Sequence, residues 1–277
     1  MPELLYEKRG HYAVFTMNRP ERLNAVNRAM SEQMQDALDD FTADPEMRVG
    51  IVTGAGRAFC SGTDLKQRTI DNEFRQKVEA DFAAGRISPK EYDEALKTLR
   101  PRPSAFEQYS LTRNPKPFIC AVNGLALGAG TERVVDCDIA IASTNATFSL
   151  AEVQHGLIAN YSSYHAARVI PHHEAMYLLL TADKLTAEQA KEAHLVREVV
   201  APERLMPRAV EIAEMISANG PLAVQATKAI SNYWRFFNIE DHKRFGVYPH
   251  DVVYASEDSR EGPRAFAEKR KPQWKGR

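Results

Sequence analysis

The sequence predicts an α/β fold, and three observations carry the prediction. The first 54 residues alternate strand, helix and strand. Short apolar runs recur at 49–54, 118–122 and 138–142, and glycine-rich turns follow the first two. From about residue 160 the chain turns mostly helical. Alternation of this kind belongs to layered α/β architecture.

Each element has its own signal. Residues 4–19 alternate weakly and break at Arg9-Gly10-His11, the pattern of a two-stranded hairpin, and Asn18-Arg19-Pro20-Glu21 makes a turn. Asn27 can cap a helix running to about Phe41, with Met30, Met34, Ala37, Leu38 and Phe41 on one face, and Asp44-Pro45 ends it. Val49 to Gly54 and Phe118 to Val122 are short enough and apolar enough for buried strands, and Asp138 to Ala142 is a third. A helix can start near Ala129. Arg204 to Ser217 places Leu205, Met206, Val210, Ile212, Ala213 and Ile216 on an apolar face. Pro221 suits the first turn of the next helix, and Asp258 with Glu261 suits the start of the last. Residues 71–102 hold seven acids and seven bases around Phe74, Val78, Phe82, Tyr92, Leu96 and Leu99, so they read as a solvated, helical insertion broken at Gly85 and Ser88-Pro89.

Composition bounds the function. The chain has 277 residues, enough for one large domain or two small ones with a full core. Its 36 Lys+Arg balance 37 Asp+Glu, which argues against a general nucleic-acid binder. Three sparse cysteines, Cys60, Cys120 and Cys137, suggest no disulfide framework and so a reducing, cytoplasmic setting. The longest apolar stretch, Phe118 to Gly130, is too short to span a bilayer, and the N-terminus lacks an apolar signal core.

Several motifs fall away on inspection. The glycines at 56–62 lack a P-loop lysine, and Gly124, Gly128 and Gly130 do not fit a dinucleotide-binding spacing. Glu152-x-x-His155 has no second copy, and His172-His173 has no matching ligand cluster, so no metal is expected. Cys60 is better explained as a small buried thiol than as a nucleophile.

What survives is a set of strand-to-helix junctions and two carboxylates. A strand followed by a glycine-rich turn and a helix presents unpaired backbone N–H groups, and two such turns facing each other can hold an oxyanion. Spacing alone is equally met by ordinary tight turns. Glu132 sits just after the second glycine-rich turn and Glu152 lies 20 residues further on, both in fairly apolar segments. Two carboxylates sharing a cleft would have their pKa values pushed apart, giving one acid and one base. Each taken singly also suits a cap or a salt bridge. Finally, Arg264 to Arg277 carries six basic residues against one acid, a local charge of +5. It reads either as a solvated tail or as a site for an anionic ligand.

In order along the chain stand Asn18-Arg19-Pro20-Glu21-Arg22-Leu23-Asn24-Ala25, Thr53-Gly54, Ala58-Phe59-Cys60-Ser61-Gly62-Thr63-Asp64-Leu65, Ala121-Val122-Asn123-Gly124-Leu125-Ala126-Leu127-Gly128-Ala129-Gly130, Cys137-Asp138-Ile139-Ala140, and the tail from Ser256-Glu257-Asp258 to Arg270. Together they make the sequence resemble the crotonase (enoyl-CoA hydratase/isomerase) superfamily over nearly its whole length. The resemblance implies a spiral of ββα units over residues 1–200 and a helical, trimerising module over 201–277, as a homotrimer or dimer of trimers. It implies an acyl-CoA thioester ligand, with coenzyme A entering as part of the substrate and no separate cofactor.

By motif position, the resemblance places an oxyanion hole on the Thr63 and Ala129 amides and the catalytic acids on Glu132 and Glu152, with Glu152 the protonated one. Coenzyme A would lie along Arg22, Leu23, Ala25, Ala58, Thr63, Asp64, Leu65 and Lys66. Lys269 would meet its phosphates, in its own or in a neighbouring subunit. Hydration of a trans-2-enoyl-CoA to a 3-hydroxyacyl-CoA is the implied reaction. Isomerisation, dehydration, thioester hydrolysis and a non-catalytic acyl-CoA-binding scaffold are the alternatives. Two features depart from the family pattern: Gly156 to Ser163 is bulkier and more polar than the usual glycine-rich turn, and the 71–102 insertion is long.

Overall fold

Residues 2–99, 111–233 and 250–277 are described by a computed structural model of the chain. Residues 100–102, the end of the expected insertion, lie outside the described residues.

The hairpin forms from β1 (Leu4–Arg9) and β2 (Tyr12–Met17). Helix α1 (Arg28–Ala43) follows, and the Asn27 side chain caps it by accepting from the Met30 N–H at 2.9 Å. From β3 onward the chain repeats one motif: a strand, a second short strand, and a helix. β3 (Val49–Gly54), β4 (Ala58–Cys60) and α2 (Leu65–Ala83) make the first unit. α3 (Pro89–Leu99) leads away from it. β5 (Phe118–Val122), β6 (Leu125–Leu127) and α4 (Ala129–Asp136) make the second. β7 (Ile139–Ser143), β8 (Thr147–Ser149), a 3₁₀ turn at Glu152–His155 and α5 (Asn160–Val169) make the third.

The first strand of every unit joins one sheet and the second joins another. With β9 (Leu185–Thr186) and β10 (Glu198–Val200), the orders are β1-β2-β3-β5-β7-β10 and β4-β6-β8-β9. β2, β3, β5, β7 and β10 pair in parallel, as do β4, β6 and β8. This is the ββα spiral expected from the sequence, and it stacks the three strand-to-helix junctions along one edge.

Alternation along the strands divides the core. Phe118, Cys120 and Val122 of β5 enter one cluster, where Phe118 lies 5.6 Å from Phe15 and 5.2 Å from Phe41, centroid to centroid. Burying each such ring contributes about 1.5–3 kcal/mol. Ile119 and Ala121 face the other way, with Val14, Ile51 and Ile141, onto Leu205, Ala209, Ile212 and Ala213. Those four belong to α8 (Pro202–Ser217), which follows α6 (His172–Thr181) and α7 (Ala187–Glu192). The helical region after residue 200 thus begins with a helix that completes the core of the sheet.

α9 (Pro221–Tyr233) is tied in by Lys228. Its buried ammonium pairs with Asp138 at 2.7 Å and donates to the carbonyls of Leu111 at 2.6 Å and Lys116 at 2.9 Å. All three of its protons have acceptors, which a buried ammonium requires.

The C-terminal segment is strapped down. After α10 (Asp258–Ala267), the Trp274 indole N–H donates to the Ala218 carbonyl, and the Asp258 carboxylate accepts from the amides of Lys275 and Gly276. Arg270 grips Glu261 with two hydrogen bonds and also pairs with Glu268, while Lys275 and Arg277 pair with Glu257. Arg264 pairs with Glu268 as well, so four of the six basic residues have acid partners within or just upstream of the tail, which is exposed but not frayed. Lys269 and Lys271 make no ion pair among the described residues.

The insertion is helical as expected. Ser88 and Glu91 cap α3 reciprocally, and the Phe82 and Tyr92 rings stack at 4.4 Å across the two helices. Leu65, Ile70, Phe74 and Phe82 stand exposed on α2.

Candidate active site

The first junction is built by stitching. Residues Arg22 to Val26 run beside Ser61 to Asp64, with the Ser61 amide on the Leu23 carbonyl at 2.9 Å, Val26 on Gly62 at 2.8 Å and Asp64 on Val26 at 2.9 Å. Asn24 pins the arrangement. It is fully buried, with its amide donating to the carbonyls of Ala55 and Ala58 at 2.9 and 2.8 Å and accepting from the Arg19 N–H at 2.9 Å. Asp64 is committed as the cap of α2 and as the partner of Arg19 at 3.1 Å. Ala58 is buried, and its carbonyl also accepts from Asn123. Arg22, Leu65 and Lys66 are exposed, and Leu23 and Ala25 half-buried, so the loops expected to line a coenzyme do lie together. Lys269 lies apart from them in sequence, on the strapped C-terminal segment.

The second junction abuts the first. A β-carbon placed on Gly62 would lie 3.5 Å from the Ala129 nitrogen. The Val26–Thr63 bridge uses the Gly62 carbonyl and the Asp64 amide, which leaves the Thr63 N–H unused. Ala129 opens α4, where backbone amides have no intrahelical acceptor. Neither the Thr63 nor the Ala129 amide has a hydrogen-bond partner among the described residues.

The two glutamates meet at the same place. Glu132 lies one turn into α4. The residue before α5, Ala159, offers no side-chain cap, and Glu132 supplies one from another element. Its Oε1 accepts from the amides of Tyr161 at 2.9 Å and Ser162 at 3.2 Å. Glu152 arrives on the 3₁₀ turn after β8, whose end is held to the start of α4 by the Gly128 amide on the Ser149 carbonyl at 2.9 Å. Its Oε1 faces Gly128, and its Oε2 is buried without a hydrogen-bond partner.

Electrostatics sets both carboxyls above their ordinary range. Burial raises Glu132 most, the Ser162 amide opposes that, the nearby Glu152 charge raises it further, and the Tyr161 amide again opposes. Glu152 is raised chiefly by burial, against a lowering from His155. Cys60 sits behind the junction as a buried thiol pushed up to about 11 by desolvation, which makes it a poor nucleophile. Among the described residues no cluster of His, Cys, Asp and Glu could hold a metal, and no helix is long and apolar enough to cross a membrane.

The comparisons give this arrangement its family. The model described as enoyl-CoA hydratase/isomerase matches residues 7–277. The chain belongs to the enoyl-CoA hydratase/isomerase family. It is 38% identical to an enoyl-CoA hydratase of Mycobacterium tuberculosis, over 100% of this chain and 97% of that one. It is 35% identical to the carnitinyl-CoA dehydratase of Proteus mirabilis, over 97% of each. The crystal structure of an enoyl-CoA hydratase from Mycobacterium marinum superposes with a TM-score of 0.82 at 35% identity, covering 100% of both chains. The fold is that of the crotonase superfamily, and the protein is an enzyme of crotonase type.

The sequence brought Glu132, Glu152, Thr63 and Ala129 forward, and the fold gathers all four at the facing junctions. It did not bring forward the amides of Tyr161 and Ser162. Their signal was present as a helix start with no capping side chain of its own at Ala159.

Proposed function

We propose that the protein hydrates a trans-2-enoyl-CoA to the 3-hydroxyacyl-CoA by syn addition. The observation that carries this reading is the pair of half-buried, pKa-raised glutamates beside two unused amides. The thioester oxygen would accept from the Thr63 and Ala129 N–H groups, which stabilise the enolate that develops there. Glu132, whose Oε1 is held by two amides, suits the ionised state and would take a proton from the attacking water. Glu152, with an unpartnered oxygen in an apolar setting, suits the protonated state and would deliver the proton to Cα. The pair titrates as a coupled unit. Coenzyme A would run along Arg22, Leu23, Ala25 and the Thr63–Lys66 turn. Lys269 is assigned to the phosphates, across an interface of a homotrimer or dimer of trimers.

Incubation with crotonyl-CoA tests the proposal by the fading of the conjugated enoyl absorbance. Glu132→Gln and Glu152→Gln are each expected to cost at least about 100-fold in kcat with folding intact. Absence of hydration at high enzyme concentration, with coenzyme A still bound, overturns it in favour of another crotonase reaction or a scaffold.

A further inference from the structure

We infer that Tyr161 is a positioning residue for Glu132, acting through a hydrogen-bonded circuit that leaves α4 at Glu132 and returns to it at Asp136. This deepens the reading of Glu132 given above and rests on it for its catalytic meaning. The circuit can be followed atom by atom. Glu132 Oε1 accepts from the Tyr161 amide at 2.9 Å. The Tyr161 hydroxyl donates to Thr112 Oγ1 at 3.3 Å, and the Thr112 hydroxyl donates to the Asp136 carbonyl at 2.5 Å. Asp136 closes α4, four residues beyond Glu132.

Thr112 is a firm anchor. It is buried, its amide and that of Leu111 donate to the Asp136 carboxylate at 3.3 and 2.6 Å, and its carbonyl accepts from Asn232 on α9. The Tyr161 ring is held between these ends and lies 4.3 Å from the His165 ring, one turn further along α5. The strut matters because α5 has no cap of its own. An uncapped first turn frays, and the two amides that fix Glu132 would fray with it. A tyrosine braces them with few rotatable bonds.

The test is a carbon-13 NMR titration of the Glu132 carboxyl, assigned with Glu132→Gln, in the wild type, Tyr161→Phe, Thr112→Val and Thr112→Ser. Losing the strut weakens two amide bonds that favour the ionised form, so the Glu132 midpoint is expected to move up in Tyr161→Phe and Thr112→Val. It should stay in place in Thr112→Ser, which keeps the hydroxyl. Both substitutions leave unchanged the Glu152 and Arg133 charges that act on Glu132. In turnover, kcat should fall about tenfold with KM nearly constant, and the double variant Tyr161→Phe with Thr112→Val should be no worse than either single one. A Tyr161→Phe midpoint equal to that of the wild type overturns the inference. The titration needs no turnover, so a protein that hydrates no enoyl-CoA would remove the proposed reaction and still leave this result to be read.

Discussion

Gly128 and Glu152 stand so close that a β-carbon on the glycine would lie 2.9 Å from the carboxylate Oε1. Gly128 also has a φ of 53° and ψ of −120°, a region that side chains other than glycine's rarely adopt. Gly128→Ala is therefore expected to fold, because the long Glu152 side chain can swing aside. Backbone strain should cost about 1–3 kcal/mol in denaturant unfolding. Turnover should fall by about 100-fold, since the displaced carboxyl is the one proposed to deliver the proton. Wild-type turnover in this variant would separate Glu152 from the chemistry.

The raised pKa of Glu152 has a consequence for stability. Its folded pKa lies above its unfolded value, chiefly through burial. Folding therefore takes up a proton between those two values, and the ionised carboxylate costs stability that grows as pH rises through that window. Glu152→Gln removes the charge and keeps the shape. The variant is expected to melt above the wild type at pH 8, with the difference shrinking as pH falls to the ordinary carboxylate range. Melting curves across pH check this, and a gap that is constant with pH would contradict it.

Asn24 organises the first junction, so its loss should reach both stability and binding. Asn24→Ala removes three hydrogen bonds and places alanine at a φ of 56°. The cost should be about 3 kcal/mol in urea unfolding, from unpaired buried groups and left-handed backbone. Asn24→Asp should be at least as harmful, because a carboxylate oxygen would then face the carbonyls of Ala55 and Ala58. A loss below about 1 kcal/mol would mean that the loops hold themselves together.

Five strands of the large sheet were legible in the sequence because they are runs of five or six residues with clear breaks, whereas β10, three half-buried residues, was not. β4, β6 and β8 were not, because three residues give no period to read. Glu132 and Glu152 could be named, but what holds Glu132 could not: the capless start at Ala159 marks amides in need of an acceptor without saying which acceptor reaches them, since backbone amides donate whatever side chain they carry. The tail shows the opposite failure. Its charge was counted correctly within Arg264 to Arg277, yet the partners Glu257 and Glu261 lie upstream of that window, so a sum over it overstated the free charge.

The three buried thiols make the protein its own timekeeper. A desolvated thiol reacts slowly with alkylating agents until the structure around it opens. All three belong to the main cluster, but Cys60 ends β4 behind the paired junctions, whereas Cys120 lies on β5 and Cys137 just after α4. Their modification rates, followed by mass spectrometry, would time the breathing of the site separately from the unfolding of the sheet.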